Sequence, residues 1–181
     1  MGYSFRPDDE NNNERKDNDV SFIYMQKIIP KPRFIIFEAG CDVYPVVTMA
    51  TSIGFLVTVC DWRPELCNEN NIPDAVSHII GFPTKIMEQL SFKKDDYVII
   101  MTHNFQRDKE ILSLSLMMNQ SLSYIGILGS QKRTASLFDT KTPNNIHSPI
   151  GLSIGAKGPF EIAVSIIAEL IQHKRMKGHP E

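Results

Sequence analysis

From Arg33 onward, short runs of apolar residues alternate with longer stretches in which apolar positions recur at helical spacing. The apolar runs predict β-strands over residues 33–37, 55–60, 78–81, 97–101 and 124–128, with a short one near 152–154. The longer stretches predict helices over residues 44–53, 84–90, 107–119, 131–138 and 159–174. Continuous apolar runs such as YVIIM are typical of parallel strands that are covered on both faces. The alternation therefore predicts an α/β fold in three layers with a doubly wound, mostly parallel sheet.

The residues before this alternation have a different composition. Residues 7–19, PDDENNNERKDND, are almost wholly polar or charged, so they cannot bury enough apolar surface to offset the loss of chain entropy. We therefore predict a disordered arm with a short flanking element over residues 1–29, one folded domain over 30–176 and a short tail over 177–181.

Composition and charge exclude several classes of protein. With 181 residues, of which 42% are hydrophobic, the chain is long enough for one well-buried core. Its net charge is −2 and its basic residues form no stripe, so neither nucleic acid nor a membrane surface is predicted as a partner. No apolar run approaches the roughly 20 residues that span a bilayer, and the polar N-terminus lacks the apolar segment of a signal peptide. The three cysteines form no CxxC pair, which favours a reduced, cytoplasmic protein.

The segment from Arg33 to Asp61 has the pattern of a nucleotide-binding Rossmann unit, in which a strand, a tight turn and a helix lead to a second strand. Asp61 follows Gly40 by 21 positions, close to the ~20 expected between the glycine-rich turn and the carboxylate that binds ribose hydroxyls. A full fingerprint has three glycines, but here Glu38 and Val43 occupy the first and third glycine positions. We expect the Glu38 carboxylate to compete with a phosphate for the same backbone amides.

Ligands of open α/β sheets bind outside the carboxyl ends of the strands, and four loops of this chain fall there. The candidate cofactor-binding residues of these loops are Gly40, Cys41, Asp61, Arg63, His103, Gly129, Ser130 and Arg133.

In the first two loops, the amides around Gly40 are candidates for holding a phosphate, and Cys41 is a candidate reactive thiolate at the start of a helix. The alternative for Cys41 is a small residue in a tight turn. Asp61 is a candidate acceptor for ribose hydroxyls, with the capping of a turn as its alternative. Arg63 is a candidate for stacking on a base or contacting a phosphate.

In the other two loops, His103 directly follows the fourth strand and is a candidate cofactor contact or general acid/base, with a structural histidine as the alternative. Asp108 is predicted to orient His103 or to cap the next helix. The Gly129–Ser130 turn, together with Arg133, is a candidate second anion site, with a plain βα turn as the alternative. No second His or Cys lies at metal-ligand spacing from His103, so no metal ligand is assigned.

Four motifs, in chain order, carry a family resemblance. They read GF-x-VTV-x-DWRP, MTH-x-FQRD, YIGILGS-x-x-R and PIGL-x-IGA-x-x-P-x-EIAVSI-x-AE. Over about residues 28–172, the chain resembles the C-terminal Rossmann domain of the xanthine dehydrogenase accessory family (XdhC/CoxI-like). The resemblance implies an accessory protein rather than an enzyme: a chaperone that binds the molybdenum cofactor (molybdopterin), protects it while its sulfido ligand is installed, and delivers it. The implied partners are a molybdenum hydroxylase such as xanthine dehydrogenase and, as a further candidate, a cysteine desulfurase.

Three departures from the family pattern keep alternatives open. The glycine turn reads EAG instead of GAG at Glu38, and the last motif has Ser153 and Gly158 where relatives usually have Asp and Thr. Full-length members also carry an N-terminal domain, where this chain has a polar arm. The alternatives are an NAD(P)-binding, oxidoreductase-like Rossmann protein and an interaction module without a ligand. The form of the cofactor tail and the choice between monomer and homodimer are left open.

Overall fold

The computed structural model describes residues 30–118, 122–138, 143 and 146–178. In chain order, its elements are β1 (Arg33–Phe37), α1 (Val43–Ser52), β2 (Leu56–Asp61), β3 (Ser77–Ile80), α2 (Pro83–Gln89), β4 (Tyr97–Ile100), α3 (Phe105–Met118), β5 (Tyr124–Ile127), α4 (Gln131–Ala135), β6 (Ile146–His147) and α5 (Gly158–Gly178). The predicted arm over residues 1–29 and the last three residues of the predicted tail lie outside the described residues, so the predicted domain boundaries stay predictions.

The described strands form one sheet in the order β3-β2-β1-β4-β5-β6, and every neighbouring pair is parallel. β1 lies in the interior, with Ile36 opposite Val59 of β2 on one side and opposite Ile99 of β4 on the other. The strand order reverses between β1 and β4, and such a switch point is where open α/β sheets bind ligands. The predicted doubly wound α/β fold is confirmed.

The sheet is covered on both faces, because alternate residues of its strands enter different cores. In β1, Phe34 and Ile36 pack in a core shared with α1 and α5, whereas Ile35 and Phe37 pack in a core shared with α2 and α3. All four side chains are buried. This two-sided burial explains why the strand reads as a continuous apolar run, and it produces the three predicted layers.

The last short strand lies earlier in the chain than predicted. β6 is Ile146–His147, and residues 152–154 form no strand. The amide of Leu152 instead donates a hydrogen bond to the carbonyl of Ser165 in α5, 3.2 Å away. The prediction was wrong because an apolar run does not specify whether a sheet or a helix satisfies its backbone amides.

α5 is the longest helix and closes one face of the sheet. Pro159 lies in its first turn, where a missing N–H costs no helical hydrogen bond, and Glu161 accepts a hydrogen bond from the Lys157 amide at 2.6 Å. Its inward face, which includes Ile166 and Leu170, is fully buried against α1 and the sheet. Within the described residues, none of the helices combines the length and the apolar composition needed to cross a membrane.

Candidate functional site

The β1–α1 turn has the backbone of a glycine turn although its first position is a glutamate. Glu38 has a φ of 147°, in the region that favours glycine, and its amide donates to the carbonyl of Cys60 in β2 at 3.0 Å. Its buried side chain folds back over the turn, where Oε1 accepts a hydrogen bond from the Gly40 amide at 3.0 Å. The carboxylate therefore occupies the amide that a dinucleotide phosphate would use, as expected from the sequence.

Asp61, the last residue of β2, is surrounded by donors from its own chain. Its side chain is buried, and Oδ2 accepts hydrogen bonds from the Ala39 amide at 2.8 Å and from Arg63 Nη2 at 2.7 Å. Oδ1 accepts from the amide and from Nε of Arg63, both at 2.9 Å. A carboxylate offers about four acceptor sites, so all of those on Asp61 are filled. A ribose hydroxyl would have to displace one of these donors.

Arg63 joins the two carboxylates, because its Nη2 also forms an ion pair with Oε1 of Glu38. Hydrogen bonding to Asp61, and less strongly to Glu38, raises the pKa of the Arg63 guanidinium above its ordinary value, although burial acts in the opposite direction. We call these three residues the Glu38–Asp61–Arg63 cluster. It holds two negative charges and one positive charge, so it offers an incoming anion no unpaired cation.

The β4–α3 loop holds His103 at the surface of the crevice. Its side chain is 75% exposed, and Nε2 lies 3.6 Å from Oδ2 of Asp42, the residue that precedes α1. Asn104 caps α3, since its Oδ1 accepts a hydrogen bond from the Arg107 amide at 3.1 Å. Of the two roles predicted for Asp108, the capping of this helix is therefore wrong, and the orienting of His103 stays a prediction.

Asp108 is instead fully buried in an ion pair with Arg133, and it also accepts a hydrogen bond from the hydroxyl of Thr102. Burial raises the pKa of Asp108 above its ordinary value, and the Thr102 hydroxyl and the Arg133 charge act against that rise. Arg133 also donates to the carbonyls of Leu128 at 3.3 Å and Thr102 at 3.4 Å. The guanidinium of Arg133 thus holds the β4 and β5 loops together, which limits what it can offer a ligand.

The β5–α4 turn presents backbone donors to the same crevice. Gly129 has a φ of 155°, and a Cβ at this position would lie 3.2 Å from Nη1 of Arg133. Ser130 caps α4 by accepting a hydrogen bond from the Arg133 amide at 3.2 Å. In the part of the chain that the structure describes, the amides of Gly129 and Ser130 donate to no protein acceptor. This turn is the second predicted anion site, and its two amides are available.

An aromatic and cationic platform lies beside these loops. The guanidinium carbon of Arg107 lies 3.4 Å from the centre of the Trp62 ring and 5.2 Å from that of Phe82. The guanidinium of Arg63 lies 4.4 Å from the same Trp62 ring. Nη1 of Arg107 is buried without a hydrogen-bond partner among the described residues. We call Trp62, Phe82 and Arg107 the Trp62 platform.

Direct contacts link the four predicted loops at the carboxyl edge of the sheet. The β1–α1 turn contacts Asp61 through the Ala39 amide, Asp42 lies beside His103, and the Thr102 carbonyl accepts from Arg133. The exposed thiol of Cys41 lies 3.6 Å from Oδ1 of Asp42. The sequence-predicted residues are therefore neighbours, whereas their roles in binding a cofactor stay predictions.

Sequence reasoning missed the contributions of Arg107 and Phe82. Both follow strand ends, and the fold brings Arg107 onto the Trp62 ring and to 5.2 Å from the Phe82 ring, although the three residues come from separate loops. The linear signal was an arginine within the FQRD motif, which does not reveal its stacking partner. Within the described ranges, no group of three or more His, Cys, Asp or Glu side chains is placed to hold a metal ion.

The sheet and its loops match a known family, described as the XdhC Rossmann domain, over residues 34–170. This chain belongs to the XdhC family. It is 42% identical over 154 residues to a Bacillus subtilis (strain 168) protein that is named as a probable subunit of xanthine dehydrogenase, and the match covers 84% of this chain and 46% of that protein. It is 27% identical over 154 residues to the Escherichia coli (strain K12) protein YqeB, covering 80% of this chain and 28% of YqeB. The chain thus spans less than half the length of these relatives.

Solved structures agree with this family assignment. A crystal structure of a xanthine dehydrogenase from Bacillus halodurans superposes with a TM-score of 0.78 at 50% identity, over 81% of this chain and 44% of that chain. The NAD(P)-binding domain of an exopolyphosphatase-related protein from Archaeoglobus fulgidus superposes with a TM-score of 0.52 at 14% identity, over 80% of this chain and 95% of that domain. The second likeness concerns the fold alone. The family resemblance read from the four motifs is confirmed.

Proposed function

We propose that this XdhC-family chain binds the molybdenum cofactor at the carboxyl edge of its sheet and acts as a chaperone in the maturation of a xanthine dehydrogenase-type molybdenum hydroxylase. The observation that carries the proposal is the Glu38 carboxylate on the Gly40 amide. A glycine turn whose amide is already bonded to a side-chain carboxylate disfavours a dinucleotide-dependent redox enzyme, because such an enzyme needs these amides to bind pyrophosphate. Relatives named for xanthine dehydrogenase support the choice of partner.

The residues at this edge fit a ligand with an anionic tail and a flat ring. The amides of Gly129 and Ser130 suit a phosphate oxygen, because they are adjacent backbone N–H donors that have no protein acceptor among the described residues. The exposed ring of His103 offers a hydrogen-bonding group to the ring system. When bound, the cofactor supplies the molybdenum centre that the hydroxylase uses. In this proposal the chain itself holds, orients and shields that group, and no step of substrate turnover is assigned to its residues.

Binding of NAD(P) is the rival function, and two contacts count against it. A pyrophosphate at the glycine turn would meet the buried negative charge of Glu38, and a ribose would meet the filled acceptors of Asp61. Either ligand group would have to break the Glu38–Asp61–Arg63 cluster first. An interaction module without a ligand is the remaining alternative, and the experiment below separates all three.

The partners and the compartment belong to the same proposal. We infer that the cofactor passes to a molybdenum hydroxylase such as xanthine dehydrogenase, with a cysteine desulfurase as a second partner that supplies the sulfido ligand. All three cysteines are free thiols, which is compatible with action in the reducing cytoplasm. Association into a homodimer stays a prediction.

The deciding experiment is mass spectrometry of the small molecules that co-purify with the chain from a molybdenum-replete host. We expect a molybdopterin species in stoichiometric amount, and none from a host that cannot make the cofactor. Thermal-shift titrations with molybdopterin, NAD+ and NADP+ provide the comparison, since a ligand that binds only the folded state raises Tm. Stabilisation by NAD+ or NADP+ alone would favour the oxidoreductase-like alternative. No stabilisation by any of the three would favour the interaction module.

A further inference from the structure

The Trp62 platform contains a positive charge, that of Arg107, which has no counter-ion among the described residues. No hydrogen bond or ion pair of the Arg107 side chain is found among the described residues, and its Nη1 is buried. The acidic residues that follow it on α3 are engaged elsewhere, Asp108 with Arg133 and Glu110 with the hydroxyl of Thr84 at 3.3 Å. Because a guanidinium is always charged, the half-buried Arg107 carries a positive charge without a counter-ion among the described residues, and an anion that reaches its exposed part can compensate it.

The neighbouring arginines differ from Arg107 in this respect. Arg63 is paired with Glu38 and Asp61, and Arg133 is paired with Asp108. An anion that reaches this part of the crevice therefore finds Arg63 and Arg133 already occupied.

The aromatic rings hold the Arg107 guanidinium in place. The guanidinium carbon of Arg107 lies 3.4 Å from the centre of the Trp62 ring, and this contact restricts the motion of the guanidinium. Phe82 is 61% exposed, and the centre of its ring lies 5.2 Å from the same guanidinium carbon, so it adds an apolar surface next to the charge. Because Nη1 is buried, the donors of Arg107 that remain for phosphate oxygens are Nε and Nη2, which lie side by side on one edge of the planar guanidinium and suit bidentate recognition. Because Arg107 already covers one face of Trp62, that face is not available for stacking a ligand base.

We propose that the Trp62 platform is a subsite for the phosphate group of an organic phosphate, with Arg107 supplying the charge and Trp62 and Phe82 fixing its orientation. The subsite is separate from the Gly129–Ser130 turn, which lies at the end of β5. The inference deepens the proposed function and rests on it only for the identity of the ring that carries the phosphate. A pterin cofactor with a nucleotide tail would thus be held at two anionic points.

The test uses intrinsic fluorescence, because Trp62 is the single tryptophan of the chain and lies within the platform. The probes are 5′-GMP, whose ring shares the amino-oxo pyrimidine edge of a pterin, together with guanosine and inorganic phosphate. We expect 5′-GMP to change the emission with saturation, inorganic phosphate to do so at higher concentration, and guanosine to have no effect. Calorimetric titration gives the same dissociation constants without relying on the fluorophore.

The decisive variants are Arg107→Gln and Arg107→Lys. Removal of a charge-assisted bidentate contact should weaken 5′-GMP binding by about tenfold or more in Arg107→Gln, with a smaller loss in Arg107→Lys, which keeps the charge but not the fork. The matched control is Arg175→Gln, an exposed cation near the end of α5, and it should bind 5′-GMP as the wild type does. If Arg107→Gln fails to fold, Arg107→Lys and Phe82→Ala decide, and both should weaken binding.

Several outcomes overturn the inference: an unchanged dissociation constant in the Arg107 variants, guanosine binding as tightly as 5′-GMP, or no binding of any probe to the wild type. Failure of the proposed function looks different. In that case the wild-type chain binds 5′-GMP through Arg107 but no molybdopterin co-purifies from the replete host. Conversely, molybdopterin that co-purifies undiminished with Arg107→Gln supports the proposed function and overturns the phosphate subsite.

Discussion

Arg63 and Arg107 both lie against the indole of Trp62, yet their charges are compensated in different ways. Arg63 donates to Asp61 and Glu38, two carboxylates that are themselves buried. Arg107 has no acidic partner among the described residues and depends on aromatic contacts alone. The same residue type is therefore paired with acids in one loop and has only aromatic contacts among the described residues in the other.

The reason for the difference lies in where each strand ends. β2 ends on an aspartate beside a turn whose first residue is a glutamate, so two acids meet one arginine. Arg107 lies in the first turn of α3, where the buried acid that follows it, Asp108, is turned towards Arg133. An arginine that completes an internal network contributes to stability, whereas Arg107, in our proposal, contributes to binding.

The largest expected effect is on stability when Arg63 is removed. Arg63→Gln leaves two buried carboxylates without their cation, so we expect the free energy of unfolding to fall by roughly 3 kcal/mol. Urea denaturation followed by circular dichroism measures the change. Arg175→Gln is the control and should lie within about 0.5 kcal/mol of the wild type. Equal stability of Arg63→Gln and the wild type would show that the cluster does not hold the β1–α1 turn.

The next effect concerns dinucleotide affinity at the β1–α1 turn, where the Glu38 carboxylate is bonded to the Gly40 amide. Glu38→Gly removes a charge from the Gly40 amide and suits the φ of 147°, so dinucleotide affinity should improve by about 1–3 kcal/mol. Calorimetric titration with NAD+ measures it. Glu38→Gln separates the two causes, because it removes the charge but keeps a side chain on the strained backbone. If neither variant gains affinity, dinucleotides do not approach this turn.

A smaller effect is expected on the stability of Arg107 variants, in direct contrast to Arg63. Arg107→Gln loses cation–π contacts but no ion pair of the described residues, so the free energy of unfolding should change by no more than about 1 kcal/mol. The same urea titration applies. A loss as large as that in Arg63→Gln would assign Arg107 to the framework and remove the contrast between the two arginines.

The smallest effect on stability is expected at His103. The exposed side chain lies 3.6 Å from Asp42, so His103→Ala should change the free energy of unfolding by less than about 0.5 kcal/mol. Cofactor binding, or activation of a partner hydroxylase, should nevertheless weaken. Thermal melting and an activation assay, run on the same preparation, check both halves. A lower Tm with intact activation would make His103 a structural residue.

The sequence predicted the local features of the site better than it predicted which residues pair with one another. The spacing from the turn to Asp61 and the glutamate at the first glycine position were both readable, and the Glu38 carboxylate does lie on the Gly40 amide. Of the two roles predicted for Asp108, the capping of α3 was wrong, because Asn104 directly precedes α3 and its side chain accepts a hydrogen bond from the first-turn amide of Arg107. Asp108 is then free to turn inward to Arg133, a partner that no local pattern reveals.

By itself, the sequence determined the succession of strands and helices and the parallel sheet, because apolar period and turn chemistry are local properties that can be read without knowledge of contacts. The family resemblance came from the four sequence motifs. Only the tertiary structure decided that β6 lies at residues 146–147, that Asp61 has no acceptor left, and that Arg107 stacks on Trp62 without a counter-ion among the described residues. These outcomes depend on which distant group accepts a given hydrogen bond or neutralises a given charge. Packing across the sheet determines these partners, because it makes neighbours of residues that are far apart in the chain.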